Sequence, residues 1–242
     1  MKKAIVSGLL LGSAALLLAQ KSSRAQRGRA PRNGRTVKDE ARDLAQQTTR
    51  RYVTYAMFPA WTTAGFLDWV WHKQTKIETT SGTEESLTHL LMMTEAGLPI
   101  VLALFLEINA GVIALMICGW LLHQATVYWD LAYTAPRRPL YTREQMTHLF
   151  MQTVPFDILA VLACLHPGQF KALLGMGKEQ PRFELRLQKP GMSPLGAAVI
   201  LGAMAAFSGL PHLEEFWRCW RARQKGLTER DTPECARELY AS

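Results

Sequence analysis

Two short segments of the chain repeat the same arrangement of acidic and histidine residues. Residues 83–94 (TEESLTHLLMMT) align without gaps with residues 142–153 (TREQMTHLFMQT), and seven of the twelve positions are identical. In each copy a glutamate precedes a histidine by four residues, so a helix places both side chains on one face, one turn apart. Carboxylates together with imidazoles suit iron, manganese or zinc. The repeat therefore predicts a metal site with two-fold character.

Each copy of the repeat follows an apolar run that ends near an aspartate, Asp68 before the first copy and Asp130 before the second. Short connections make consecutive helices antiparallel, so all four acid-bearing helix ends are expected on one side of the bundle. Two metal ions need several acids to offset their charge. We therefore predict a centre with two divalent ions, iron or manganese before zinc. Its predicted ligands are Asp68, His72, Glu85, His89, Asp130, Glu144 and His148.

Two further ionisable residues lie deeper in the same apolar segments. Glu95 follows Glu85 by ten residues, and His123 precedes Asp130 by seven. The helical rise of 1.5 Å per residue places both roughly 10–15 Å beyond the predicted ligands. This spacing predicts a proton path or a contact behind the metal ligands.

The apolar residues are gathered into runs long enough to cross a membrane. Ile108–Trp129 contains no charged residue, and a bilayer takes about 20 mostly apolar residues to span. Few helices of soluble proteins are apolar on all sides for that length. The pattern therefore favours an all-α, multi-pass integral membrane protein over a soluble helical protein with a large core. Its centre is expected to be an antiparallel four-helix bundle made from a duplicated helical hairpin, with an N-terminal anchor helix and a C-terminal membrane helix.

The order of these runs divides the chain into segments. The predicted segments are an N-terminal anchor or signal helix (1–20), a basic flexible linker (21–50), a membrane four-helix bundle with the metal site (51–166), a polar connector (167–193), and a membrane helix with an amphipathic tail (194–242). Residues 21–51 hold ten Lys and Arg against three acids. Basic residues favour the cytoplasmic side, so we expect an uncleaved anchor. The linker is expected to contact anionic lipid rather than nucleic acid. The Trp and Arg residues after Pro211 favour the membrane–water interface over a binding face.

The four predicted helices resemble the ferritin-like dimetal-carboxylate bundle. In that family two helices each give one acid, and the other two each give a glutamate with a nearby histidine. The resemblance covers residues 52–166 at the level of pattern, and it implies that Asp68 and Asp130 are the single acids. The chain departs from the family in having Glu-x-x-x-His for Glu-x-x-His and Asp for Glu. It also resembles uncharacterised bacterial multi-pass proteins, which implies the bacterial inner membrane.

Three functions are consistent with this pattern. The first is a membrane-embedded dimetal oxidoreductase acting on a lipid, a quinone or oxygen, with membrane lipid and a quinone or redox protein as partners and no nucleic acid. The second is a b-type haem protein, although haem has no use for the repeated glutamates. Its axial ligands would come from His72, His89, His123 and His148. The third is a non-enzymatic membrane protein whose acids and histidines pair with one another or bind a regulatory metal.

Overall fold

The computed structural model describes residues 37–189, 191 and 193–228. Within these residues the regular structure is helical, apart from one antiparallel bridge between Leu106 and Leu187. The predicted anchor helix at residues 1–20 lies outside them. The helices are α1 (Val37–Tyr52), α2 (Phe58–Thr75), α3 (Gly82–Phe105), α4 (Ala110–Thr134), α5 (Thr142–Leu165), α6 (Pro167–Leu173), α7 (Pro194–Met204) and α8 (Leu210–Gln224).

The chain divides into two compact units, and the boundary falls within α2. The first unit ends at Ala60 and contains α1 followed by a π-helical turn, Val53–Met57. The second half of the predicted flexible linker is thus helical, and its first half lies outside the described residues. The second unit begins at Trp61 and contains every residue of the site discussed below.

Four of the described helices are long and apolar enough to cross a membrane. They are α3, α4, α5 and the continuous helix Pro194–Gln224, in which a π-helical turn, Ala205–Gly209, joins α7 to α8. The prediction of an all-α, multi-pass membrane protein with a four-helix bundle is therefore confirmed. Helix α3 packs against α4, α5 and α8, and its Ile100 and Leu104 are almost completely buried.

The turn between α3 and α4 is fixed at the end of the bundle away from the repeated Glu-His pairs. The side chain of Asn109 caps α4 by accepting a hydrogen bond from the Val112 amide, 3.0 Å away. The connector crosses this turn, where the amide of Gly111 donates to the Arg182 carbonyl at 2.9 Å. Gly111 is suited to this position because a Cβ atom there would lie 2.8 Å from the Cα of Phe183.

Candidate metal centre

Acidic and histidine side chains from five helices meet in one buried cluster. These side chains are Asp68 and His72 of α2, Glu85 and His89 of α3, Asp130 of α4, Glu144 and His148 of α5, and His212 and Glu215 of α8. His148 is the most accessible, with 20% of its side chain exposed. All seven residues that we predicted as ligands therefore lie together in the structure.

The central atoms of the cluster are spaced as metal ligands are. Asp68, His72, His89 and His148 each offer a ligand atom, and these four atoms lie within 4.8 Å of one another. His148 Nε2 lies 2.8 Å from Asp68 Oδ1, and His72 Nε2 lies 3.6 Å from the same oxygen. Ligands bound 2.0–2.2 Å from one ion stand roughly 3.0–3.5 Å apart. The observed separations fit atoms that share a cation.

These central atoms lie at ion-pair distances from oppositely charged groups, but they make no hydrogen bond within the described residues. Asp68 Oδ1 and the Nε2 atoms of four histidines are buried and have no hydrogen-bond partner within the described part of the chain. The four histidines are His72, His89, His148 and His212. His212 Nε2 lies 3.7 Å from the second oxygen of Asp68, which places it beside the other three. Buried polar atoms without partners are rare, because each loses its water without a compensating bond. Four of the five residues, Asp68, His72, His89 and His148, form a group whose ligand atoms could hold a metal ion.

In three of the rings, the Nδ1 atom faces away from the central atoms and contacts an oxygen acceptor. Glu215 lies with one carboxylate oxygen 2.8 Å from His72 Nδ1 and the other 3.3 Å from His89 Nδ1. The two rings stack, with centroids 4.5 Å apart and an angle of 9° between their planes. His212 Nδ1 lies 2.8 Å from the Ser208 carbonyl. Because these oxygens accept, each Nδ1 carries the proton and each Nε2 lone pair faces the centre, as in metal-binding histidines.

An arginine joins the glutamates of the two repeats. The Nε atom of Arg138 lies 3.1 and 2.9 Å from the two oxygens of Glu85, and Nη1 lies 3.1 Å from Glu144 Oε2. The Nη2 group donates to both carboxylates. Burial opposes the charged guanidinium, but the two acids outweigh it and raise the pKa of Arg138 above its ordinary value. The repeated glutamates therefore meet on one side of the bundle, as the antiparallel threading predicts.

The acidic part of the cluster adjoins the histidine-rich part. Glu144 Oε1 lies 3.2 Å from His72 Nε2, and Glu85 Oε1 lies 3.8 Å from His89 Nε2. His72, Glu85 and Glu144 form a second group whose ligand atoms lie within 4.8 Å of one another. Asp130 Oδ1 accepts a hydrogen bond from Thr88 and lies 3.6 Å from His89 Nε2. His72 belongs to both groups, so the two groups adjoin at this ring.

The cluster contains more carboxylates than permanently positive side chains. Its five buried carboxylates belong to Asp68, Glu85, Asp130, Glu144 and Glu215. Within the cluster, Arg138 is the one residue that is always positively charged. Four more positive charges are needed, because unpaired charges are very costly to bury. Two divalent ions would supply them, and so would four protonated histidines.

Sequence reasoning missed three residues of the cluster. We expected the tail after Pro211 to lie at the membrane–water interface, but one face of α8 places His212 and Glu215 in the cluster, both fully buried. The opposite face keeps the expected character, since Trp217 is 54% exposed. The signal was a histidine and a glutamate three residues apart in the tail. No local pattern distinguishes Arg138 from the other basic residues between α4 and α5.

Glu95 and His123 form a separate pair, with Glu95 Oε2 3.6 Å from His123 Nδ1. Neither belongs to the two groups of ligand atoms.

The haem alternative is disfavoured by the stacking of His72 on His89, because both rings turn Nδ1 toward Glu215. Their Nε2 atoms are therefore side by side, whereas axial ligands face each other across the haem.

No protein-family model, no curated protein and no solved structure matches this chain.

Proposed function

We propose that this protein is a membrane-embedded metalloprotein whose buried cluster holds two divalent transition-metal ions. The convergence of five buried donor atoms that make no hydrogen bond, the Nε2 atoms of four histidines and one oxygen of Asp68, carries this proposal. Polar atoms in that arrangement favour a cation over any neutral neighbour. The charge of the cluster supports two ions, because two divalent ions and Arg138 offset five carboxylates.

Eight donor groups are available for the two ions, which is about four for each. Four are imidazoles and four are carboxylates: His72, His89, His148, His212, Asp68, Glu85, Asp130 and Glu144. This mixture suits iron, manganese or zinc. The likeness to ferritin-like dimetal-carboxylate bundles supports iron or manganese. In this proposal Glu215 and Arg138 do not bind metal but hold the ligands in place.

The proposed reaction class is oxidation and reduction of a lipid, a quinone or oxygen, in the bacterial inner membrane. A pair of iron or manganese ions supplies electron exchange when bound. The chain itself orients the rings through Glu215 and the Ser208 carbonyl, holds Asp130 through Thr88, and excludes water by burial. His148 is the most exposed member of the cluster, so we place substrate access on its side.

A second candidate is a non-enzymatic membrane protein whose acids and histidines pair with one another. The observation that favours it is the charge of the cluster. If all four central histidines are protonated, they and Arg138 balance the five carboxylates without a metal. In that case the buried ion pairs would hold α2, α3, α4, α5 and α8 together.

Metal content and thermal stability of two variants distinguish these functions. In the metal-bound protein, Glu144→Ala and His148→Ala should each lose metal and melt at a lower temperature, because bound ligand stabilises the native state. Glu107→Ala is the matched control, since Glu107 lies at the α3–α4 turn, away from the cluster. A wild-type protein free of metal, with both variants also free of it, would favour the ion-pair network. Unchanged metal content in both variants would refute the assigned ligands.

A further inference from the structure

A second polar pair lies near the middle of the membrane-spanning helices. Glu95 of α3 is 13 residues after Gly82 and 10 before Phe105. His123 of α4 is 13 residues after Ala110 and 11 before Thr134. Both side chains therefore lie near the centre of their spans, where ionisable residues are costly and are usually functional.

This pair leaves three polar atoms unsatisfied. Glu95 Oε1 accepts a hydrogen bond from Thr126 Oγ1 at 2.9 Å. Glu95 Oε2 and both ring nitrogens of His123 are buried, and none of these three atoms has a hydrogen-bond partner among the described side chains and backbone. The side chains are 10% and 4% exposed. Lipid tails offer no hydrogen bonds, so these atoms need a polar ligand at this depth.

The pair lies just behind two lipid-facing leucines. Leu91 and Leu98 lie about one turn before and after Glu95 on α3, and they are 39% and 40% exposed. In a membrane these leucines face the acyl chains, so the carboxylate sits between two lipid-facing side chains. A ligand that dissolves in the bilayer and carries a polar head group fits this position.

We infer that Glu95 and His123 bind the head group of a membrane-soluble quinol or quinone. A quinol hydroxyl donates to Glu95 Oε2, and the imidazole of His123 donates to or accepts from the ring oxygen. The pair lies close to the cluster, because His123 precedes Asp130 by seven residues, about two helical turns or roughly 10 Å along α4.

This assignment names the substrate class of the proposed oxidoreductase, and its redox step rests on that proposed function. Oxidation of the quinol to the quinone breaks two O–H bonds and releases two electrons and two protons. Iron or manganese ions held by the histidines and carboxylates of the cluster would, in their oxidised form, supply the acceptor for these two electrons. Glu95 and His123 take one proton each. Head-group binding itself needs no metal.

Quenching of tryptophan fluorescence by ubiquinone-1 tests the site in protein reconstituted into lipid nanodiscs. Trp120 lies about one turn from His123 on α4 and reports on this region. We expect saturable quenching by the wild-type protein, with and without chelator treatment. His123→Leu and Glu95→Leu should each weaken binding by about tenfold, the effect of losing one hydrogen bond to a ligand.

Gln124→Leu is the matched control, because Gln124 is the next residue along and its Oε1 accepts a hydrogen bond from Gln152 Nε2 at 2.8 Å. It should bind ubiquinone-1 as the wild type does. Absence of saturable quenching in the wild type, or equal quenching in all four proteins, would overturn the inference. Metal content measured on the same samples separates the two proposals. Binding of ubiquinone-1 by a metal-free protein would support the quinone site and contradict the dimetal function. A protein that contains metal but does not bind ubiquinone-1 would support the dimetal function and contradict the quinone site.

Discussion

Replacing Glu215 with glutamine changes the contacts of two proposed metal-binding rings, His72 and His89, while nearly preserving the shape of the side chain. The carboxylate lies 2.8 Å from His72 Nδ1 and 3.3 Å from His89 Nδ1. A glutamine has one acceptor oxygen and one donor NH2 group, so it can accept a hydrogen bond from only one of these rings. The other ring must move its proton to Nε2 or lose its partner. Either outcome removes or misdirects one metal-binding lone pair.

The expected loss of metal affinity can be estimated from the effect of removing the hydrogen-bond partner of a metal-binding histidine. Losing the partner of a metal-binding histidine typically lowers metal affinity by about 10–100-fold, which corresponds to about 1.4–2.7 kcal/mol. Two rings share Glu215, and both are almost completely buried, so no water can readily replace the lost acceptor. At metal concentrations that nearly saturate the wild type, its free energy of unfolding should exceed that of Glu215→Gln by a similar amount. The difference should shrink after chelation.

Competition with a chromogenic chelator measures the affinity of both proteins in detergent. Glu214→Gln is the matched control, because Glu214 is adjacent in sequence but its side chain is 42% exposed and lies 3.4 Å from Lys73. It should bind metal as the wild type does. If Glu215→Gln retains wild-type affinity while Glu214→Gln does too, the Nδ1 contacts do not orient metal ligands, and the reasoning fails.

Three further predictions concern the rest of the cluster. Arg138→Met should destabilise the protein by about 3–5 kcal/mol, because it removes the buried guanidinium that pairs with Glu85 and Glu144. Arg137→Met should have little effect in thermal melts, because the Arg137 guanidinium stacks on an aromatic ring. His212→Ala should lower metal content per chain, whereas Trp217→Ala, on the exposed face of the same helix, should not. Metal affinity measured by equilibrium dialysis should fall as the pH is lowered, because imidazole must lose its proton to bind a metal.

Each of these predictions has a contradicting result. Equal melting temperatures for Arg138→Met and Arg137→Met would mean that the guanidinium does not neutralise the two glutamates. Full metal content in His212→Ala would exclude that ring as a ligand. An affinity that stays constant between pH 5 and pH 8 would mean that histidines do not bind the ion.

The membrane helices and most of the cluster were predictable because their signals are local. Apolar runs identify α3, α4 and α5, which all lie within the segment 51–166 predicted as the membrane bundle. The repeated Glu-x-x-x-His spacing identifies Glu85, His89, Glu144 and His148 because both copies place the pair on one helical face.

The missing residues depend on contacts between distant parts of the chain. His212 and Glu215 occur once, in a helix whose Trp and Arg residues indicate an interface, and no local pattern shows that its other face packs on α3. Arg138 lies in a connection between helices, where its contact with Glu85 spans 53 positions in sequence. Such pairings come from tertiary packing rather than from helical periodicity.

The metal content of the wild-type protein tests the central claim most directly. Protein purified in detergent without added metal or chelator would be analysed for iron, manganese and zinc, and its absorption spectrum would be recorded. The dimetal proposal predicts about two divalent ions per chain and no Soret band. Less than about 0.1 metal ion per chain, both as purified and after incubation with each metal at neutral pH, would contradict it.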